Sequence, residues 1–366
     1  MISKRGGLSS LFHRPRQTTK MNKKQDINSF SSPRTLRSMF STFESQDELG
    51  DLIIDRTEGW YDAKHSSFSS PEIEFVNSIK VTCCPYCGSN RFRKIGHRKD
   101  GTQCFRCNSC KRKFNPLTGS IFDSRKIPVG EWIEFLIHLF QYQSIKIASI
   151  DNRNAYSTGR YWINKIFEVL KNYQSDIVME ERFWTDETYL KLMPKDLKRD
   201  EKGRLLRGLS RNNLCIMTLT DGTRTVLIAD GTGKPSRKRM RKLIPHIKPG
   251  SHMIDDGEKS HVVLVEELSL TREIHKTAET KGLSDKENPM DLINTVHRFF
   301  KRFMKAHGGY LRDELQDWCN LFSFVFNHWN NIPGAIKDLL EMAVSTRKVI
   351  RYRELMSKKP QFIVFC

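Results

Sequence analysis

The sequence predicts an α/β protein: a mixed β-sheet flanked by helices, preceded by a small metal-binding ribbon and a helical segment. From about residue 180 onward, short apolar runs typical of strands alternate with segments that have helical spacing. Between residues 81 and 122, two CxxC motifs stand with 19 residues between them. Between residues 128 and 172, apolar residues recur with helical spacing after Pro128.

The composition indicates a nucleic-acid partner. The chain has 366 residues, a formal net charge of +20 and a pI of about 9.6. Such a charge favours a polyanionic partner, although a ribosome-associated or membrane-surface protein would share it. No apolar run approaches the roughly 18 residues of a membrane helix. Six of the nine cysteines lie between Cys83 and Cys110, which indicates metal binding in a reducing compartment rather than disulfides.

Residues 1–72 are predicted to be a disordered basic tail. They are rich in Ser, Thr, Lys and Arg and contain few periodic apolar residues. No acidic residue precedes Asp26, so a transit peptide is an alternative, as is a true start at Met21.

Four cysteines within residues 78–122 predict a structural zinc site. Two CxxC turns at this spacing make a closed tetrahedral site that can fold a ribbon with few apolar residues. Residues 90–94 and 103–106 are the predicted strands. The predicted ligands are Cys84, Cys87, Cys107 and Cys110. Two alternatives remain, because Cys83 adjoins Cys84 and Cys104 begins another CxxC motif; otherwise both are ordinary small hydrophobes.

Residues 126–175 predict three short helices, at about 129–140, 144–150 and 157–167. A polar turn separates the second from the third, and the third carries basic residues. This pattern favours a helix-turn-helix-like DNA-binding region. A plain helical linker is the alternative.

Two predicted strands deliver carboxylates to the domain at residues 180–332. Asp186 and Glu187 lie in the middle of the first strand, so their side chains point to opposite faces. The second strand, at residues 252–254, runs into Asp255 and Asp256. Asp256 is the better candidate because Gly257 follows it, which places it at the carboxyl end of the strand.

A late helix offers further site residues. Asn294, His297 and Lys301 share one face of the helix predicted at residues 291–307, because their spacing is i, i+3 and i+7. Two strand carboxylates and an oxygen ligand on this helix would bind a divalent metal at a phosphodiester. Two more helices, at 310–329 and 336–355, close the chain; residues 333–366 form a C-terminal helical tail.

Residues 213–219 and 223–229 are predicted to form a hairpin with a turn at Asp221 and Gly222.

Basic segments predict where DNA would bind. The segment at 235–247 is a predicted basic helix between the two acidic strands. Contact of its side chains with the backbone of a nucleic acid is therefore as well supported as a charged face that is merely exposed to solvent. The candidate DNA-binding residues are His297, on the helix predicted at 291–307, and five residues of this segment: Arg237, Lys238, Arg239, Arg241 and Lys242. The basic ribbon could also lie on phosphates or dock a protein.

These residues together resemble the bacterial insertion-sequence transposases of the ISXO2-like type, which join an N-terminal zinc ribbon to an RNase H-like core. The matching motifs are the CPYC and CNSC knuckles, DETYLKL, IDDGEKSH and INTVHRFFKRF, and the resemblance covers residues 81–330. This chain departs from the usual three acids of a DDE core in having Asn294 at the third position. Glu287 is the nearest carboxylate that could replace it.

The resemblance implies an RNase H-like mixed sheet flanked by helices and a site that binds two Mg²⁺ or Mn²⁺ ions. Asp186 would bridge both ions, Asp256 and Asn294 would each complete one, and Lys301 would face the DNA phosphate. It implies strand cleavage and strand transfer at inverted-repeat ends, double-stranded DNA partners, a homo-oligomeric active complex, no membrane, and a bacterial cytoplasm where the protein associates with the nucleoid.

Two other functions compete with this one. A non-catalytic DNA-binding protein, either a regulator or a domesticated transposase, would use only the ribbon and the helical region. Another RNase H-like nuclease would hydrolyse strands without joining them. The first is disfavoured because every catalytic-type position is filled.

Overall fold

The computed structural model describes residues 70–123, 127–192, 196–206, 208, 211–307 and 310–357. The predicted tail lies outside these ranges except for its last three residues, which begin helix α1 (Ser70–Ser78). α1 is attached to the ribbon through Asn77. Its side chain donates to the Gly101 carbonyl at 3.1 Å and accepts from the Gln103 amide at 2.8 Å.

The ribbon is a three-stranded antiparallel sheet in the order β1-β2-β3. Its strands are β1 (Phe92–His97), β2 (Gln103–Cys107) and β3 (Lys113–Phe114). Its interior contains three aromatic rings, Phe92, Phe105 and Phe114, whose centroids lie 5.5–5.6 Å apart. So small an apolar interior does not stabilise a fold by itself, because burial must exceed the entropy lost on ordering the chain.

Three helices form where the sequence predicts them: α2 (Val129–Phe140), α3 (Ile145–Asp151) and α4 (Tyr156–Leu170). The helix-turn-helix-like DNA-binding role stays a prediction; the side chains of α4 are buried or half-buried in the fold. Arg160 pairs with Glu314 at 3.2 Å, and the buried Lys165 donates to the Ile121 carbonyl at 2.6 Å.

The central sheet has five strands in the order β6-β5-β4-β7-β8. They are β4 (Arg182–Lys191), β5 (Asn213–Thr220), β6 (Thr225–Thr232), β7 (His252–Asp255) and β8 (Thr271–Ile274). β5 runs antiparallel to β4 and β6, whereas β4, β7 and β8 are parallel. This confirms the predicted mixed α/β sheet. The order 3-2-1-4-5, with the second strand reversed, is that of an RNase H-like fold.

The remaining helices are α5 (Arg237–Met240), α6 (Val262–Leu268), α7 (Thr277–Thr280), α8 (Asp291–Ala306), α9 (Leu315–Asn327), α10 (Ile332–Ser345) and α11 (Tyr352–Ser357). Of these, α5, α6, α8 and α9 pack on the two faces of this sheet. One face, here called the α8 face, buries Leu214, Ile216 and Leu227 against α8 and α9. The opposite α6 face buries Phe183, Met217 and Met253 against α5 and α6. The two faces therefore separate side chains that are neighbours in sequence.

The predicted basic helix at 235–247 is less regular than expected. Only α5 is α-helical, and a 3₁₀ helix (Arg241–His246) completes the segment. Pro245 lies inside this turn and lacks the amide that an α-helix would use. The last predicted helix is also split. α10 begins earlier, where Asn331 accepts from the Gly334 amide, and ends at Ser345 before α11.

Trp318 is the largest fully buried side chain of the α8-face core, with its ring 5.1 Å from Phe167 and 5.0 Å from His307. Trp318→Ala is expected to lower the free energy of unfolding by about 3–5 kcal/mol, because it removes apolar burial and leaves a cavity. Urea denaturation measures the change. Trp329, which is 73% exposed, supplies the matched control, and Trp329→Ala should change stability by less than about 0.5 kcal/mol.

Candidate active site and metal centre

Asp186, in the middle of β4, lies beside Asp256, which follows the carboxyl end of the parallel strand β7. In the β4–β7 register, Arg182 lies opposite His252 and Trp184 lies opposite Ile254. Continuing that register by two residues places Asp256, the first residue after β7, opposite Asp186. Because side chains alternate across a strand, both carboxylates fall on the α8 face.

The pKa of Asp186 reflects its burial and the carboxylates around it. Burial raises the pKa of Asp186, and the neighbouring Asp256 and Glu187 carboxylates raise it further, to about 7. Two carboxylates held close together repel each other, and a divalent cation between them would relieve the repulsion. The oxygen donors suit a hard cation such as Mg²⁺ or Mn²⁺.

The structure distinguishes Asp255 from Asp256, which the sequence left open. Asp255 is fully buried on the α6 face. Its carboxylate accepts from His261 Nδ1 at 2.7 Å and from Arg272 Nη2 at 2.7 Å. Hydrogen bonds from His261 and Arg272 outweigh the effect of burial and keep the pKa of Asp255 below its usual range. With its oxygens engaged away from Asp186, Asp255 is the weaker metal-ligand candidate.

Glu187 points away from Asp186, as expected. Its Oε1 accepts from His261 Nε2 at 2.8 Å, so the His261 ring lies between Glu187 and Asp255. Burial alone would lower the pKa of His261, but its two hydrogen-bonded carboxylates raise it to about 10. Sequence reasoning missed His261 and Arg272, because nothing local connects His261 to a strand 74 residues earlier.

Helix α8 brings His297 to the other side of the site. His297 Nδ1 lies 3.7 Å from Asp186 Oδ2, and Nε2 lies 3.1 Å from the Thr218 hydroxyl. Burial, together with the positive charge of Lys301, lowers the pKa of His297 to about 3. His297 is therefore a buried neutral ring beside Asp186, and this placement disfavours the direct DNA contact expected from the sequence.

Asn294 and Lys301 lie one turn before and after His297 and are both exposed. Among the described residues, no hydrogen bond joins Asn294 to Asp186 or Asp256. The alternative third ligand, Glu287, is exposed and accepts from the Ser284 hydroxyl at 2.7 Å, which lowers the pKa of Glu287. Asn294 remains the better candidate, because it shares a helix with a residue that touches the site.

The four cysteines chosen from the sequence are the four that the fold brings together. The Cys84 and Cys110 sulfurs lie 3.6 Å apart, as do those of Cys87 and Cys107. All four ligand atoms lie within 4.8 Å of one another, so they could hold a metal ion. The backbone amides of Cys110 and Ser109 donate to the Cys107 sulfur and lower its pKa to about 6, which favours the thiolate that a metal binds. Cys83 and Cys104 lie outside this group.

Most basic side chains of the 235–247 segment are already paired within the fold. Arg239 and Lys242 both bind the buried Asp230, Lys242 at 2.9 Å, and Arg241 binds Glu267 at 2.6 Å. Arg237 lies 3.7 Å from Glu266, whereas Lys238 is exposed and forms no ion pair with the described residues. Lys238 is thus the cation of this segment that no described carboxylate pairs with.

A comparison of Arg239 with Lys238 separates structural from binding roles. Arg239→Ala should lower the free energy of unfolding by about 2 kcal/mol, because Asp230 stays buried with one partner fewer. Lys238→Ala should leave stability unchanged and weaken DNA binding slightly, with a salt dependence reduced by about one charge. Thermal unfolding and a salt titration of DNA affinity measure the two effects. Equal stability losses in both variants would contradict this division.

No protein-family model matches the chain. An uncharacterized protein in transposable element ISH50 of Halobacterium salinarum is 24% identical over 278 residues, which cover 71% of this chain and 91% of that relative. The alignment with the catalytic domain of Mos1 mariner transposase covers 52% of this chain and 93% of that domain, at 12% identity and a TM-score of 0.26. The alignment with a pre-cleavage Mos1 transpososome covers 59% of this chain and 79% of that chain, at 10% identity and a TM-score of 0.25. Superpositions this low establish no shared fold, and the strand order defines the architecture here.

Among the described residues, no helix combines the length and the apolar character that crossing a bilayer requires.

Proposed function

We propose that the protein is a DNA transposase, a polynucleotidyl transferase that cuts and joins the ends of its own insertion sequence. The observation that supports this proposal is that Asp186, in the middle of β4, and Asp256, just after the parallel strand β7, fall on one face of the sheet when the strand register is continued. The relative found in a transposable element supports the same function.

The proposed site assigns a role to each neighbouring side chain. Asp186, Asp256 and Asn294 would bind Mg²⁺ or Mn²⁺, and the bound ions would supply the Lewis acidity that phosphodiester cleavage and joining require. His297, neutral and hydrogen-bonded to Thr218, lies 3.7 Å from the Asp186 carboxylate and would help to orient it. Lys301 is exposed on the same helix and would bind the DNA phosphate next to the scissile bond.

DNA would approach along exposed basic surfaces. The outward side of α8 carries four exposed cations at helical spacing: Arg298, Lys301, Arg302 and Lys305. The cysteine ribbon, whose bound metal we propose to be zinc, exposes Arg91, Arg93, Lys94, Arg98 and Lys99. Such clusters bind phosphates regardless of sequence. Because transposition requires two ends held together, we propose a homo-oligomeric active complex.

The test uses purified protein, Mg²⁺ and a supercoiled plasmid that carries the gene with its native flanks. Products are mapped to the nucleotide. Nicks at a pair of inverted repeats, with new joints into other DNA, are the expected result. Specific binding without cleavage would favour the non-catalytic DNA-binding protein instead, and Asn294 at the third ligand position would be the first candidate cause of the missing cleavage. Cleavage without joining would favour a nuclease.

Lys301→Ala is expected to reduce the cleavage rate about 10-fold or more, because the lysine side chain would neutralise charge at the scissile phosphate. Single-turnover cleavage measures the rate, and filter binding shows whether DNA affinity changes as much. The matched control is Lys337→Ala, since Lys337 is an exposed helix lysine on α10, paired with Glu341 at 3.9 Å. The same loss in both variants would contradict a specific role for Lys301.

A further inference from the structure

Four charged side chains form a buried cluster on the α6 face, directly behind the candidate metal site. They come from three adjacent strands and the turn after β7: Glu187, Asp255, His261 and Arg272. The side chains of Asp255 and His261 are fully buried, that of Glu187 is 6% exposed and that of Arg272 is 15% exposed. Two carboxylates thus face two basic groups, which offsets the cost of burying the charges.

Asp255 is the centre of this cluster. One oxygen accepts from His261 at 2.7 Å and Arg272 at 2.7 Å, and the other accepts from the Gly257 amide at 3.0 Å. Arg272 also donates to the Glu258 carbonyl at 3.1 Å. The turn that carries Asp256 is therefore held from both ends by side chains on the opposite face of the sheet.

His261 completes the connection between the two acidic strands. Its Nδ1 donates to Asp255 on β7 and its Nε2 donates to Glu187 on β4. Each of these carboxylates is the direct chain neighbour of a candidate metal ligand, Asp256 in one case and Asp186 in the other. A change in the His261 bridge would therefore change the separation of the two ligands.

We propose that His261 is a positioning residue for the metal site: its bridge between Glu187 and Asp255 fixes the distance and orientation of Asp186 relative to Asp256. The proposal rests on the proposed function, because it takes these two aspartates as the metal ligands. Groups behind metal ligands set affinity by holding the ligands in place, and their loss typically weakens metal binding about 10–100-fold.

The experiment measures Mn²⁺ binding to the full chain by isothermal titration, without DNA and therefore without catalysis, alongside thermal unfolding. His261→Ala should raise the Mn²⁺ dissociation constant about 10–100-fold. His307→Ala is the matched control, because His307 is also a buried histidine but neither of its ring nitrogens has a hydrogen-bond partner among the described residues. It should destabilise the fold and leave Mn²⁺ affinity unchanged.

Arg272→Lys provides a second, milder variant in case His261→Ala does not fold. Lysine cannot reproduce the forked contact with Asp255 and the Glu258 carbonyl, so a smaller loss of Mn²⁺ affinity is expected. Unchanged Mn²⁺ affinity in folded variants of both residues would overturn the positioning role while the proposed function stands. If the wild-type protein binds no Mn²⁺, or if its Mn²⁺ binding survives Asp186→Asn, the metal site is overturned, and the inference with it.

Discussion

Asp186→Asn is expected to reduce metal-dependent strand cleavage by about 10³-fold or more, equivalent to at least about 4 kcal/mol of transition-state stabilisation. Asp186 is the residue on which the site converges: it lies opposite Asp256 in the strand register, and His297 lies 3.7 Å away. An amide keeps the shape of the side chain but removes the negative charge that a bridging metal ligand requires. Asp256→Asn should cause a comparable loss.

The measurement is single-turnover cleavage of the flanked plasmid at saturating Mg²⁺. Asp317→Asn is the control, because Asp317 is a partly buried aspartate on α9 whose pKa burial raises to about 6, outside the proposed metal site. It should cleave at close to the wild-type rate. Cleavage that survives Asp186→Asn would contradict the assignment of this residue to the metal site.

Removal of the ribbon metal is expected to unfold the three-stranded ribbon, residues 81–114, and leave the central sheet intact. The interior of the ribbon consists mainly of three phenylalanine rings, whereas a structural zinc ion contributes about 10–16 kcal/mol in comparable small domains. The central sheet has its own large cores on both faces and does not depend on the four sulfurs. Hydrogen exchange after chelation should show β1–β3 losing protection while β4 and β5 retain it.

Two cysteine variants test which sulfurs bind the metal. Cys107→Ser should lose the metal and reproduce the effect of chelation. Cys104→Ser should keep one metal ion per chain, because Cys104 lies outside the group of four sulfurs. Metal content measured by mass spectrometry distinguishes them. A Cys104→Ser protein that loses its metal would show that the other CxxC motif supplies the ligands.

Local sequence patterns were sufficient for the features that depend on neighbouring residues. The alternation around Asp186 predicted β4, and Asp221-Gly222 predicted the hairpin of β5 and β6. Gly257 favoured Asp256 over Asp255, and the strand register places Asp256 on the same face as Asp186. The spacing of the CxxC motifs also selected the four cysteines that the structure groups together.

Features that depend on distant partners could not be predicted this way. The basic run at 235–247 gave no sign that Arg239 and Lys242 neutralise Asp230, which arrives from β6. Helical spacing predicted α4 but not its ion pair with Glu314, because that residue lies far along the chain. His261 was missed for the same reason: its partners are a strand residue 74 positions away and a carboxylate on β7.

The most direct test of the central claim is a crystal structure of the protein soaked in Mn²⁺, with anomalous scattering used to locate the ions. We expect an anomalous peak on the α8 face, about 2.1–2.2 Å from carboxylate oxygens of both Asp186 and Asp256. A peak at Asp255 and Glu187 would contradict the proposed metal site. So would the absence of a peak beside Asp186 and Asp256 in a lattice that leaves these residues accessible.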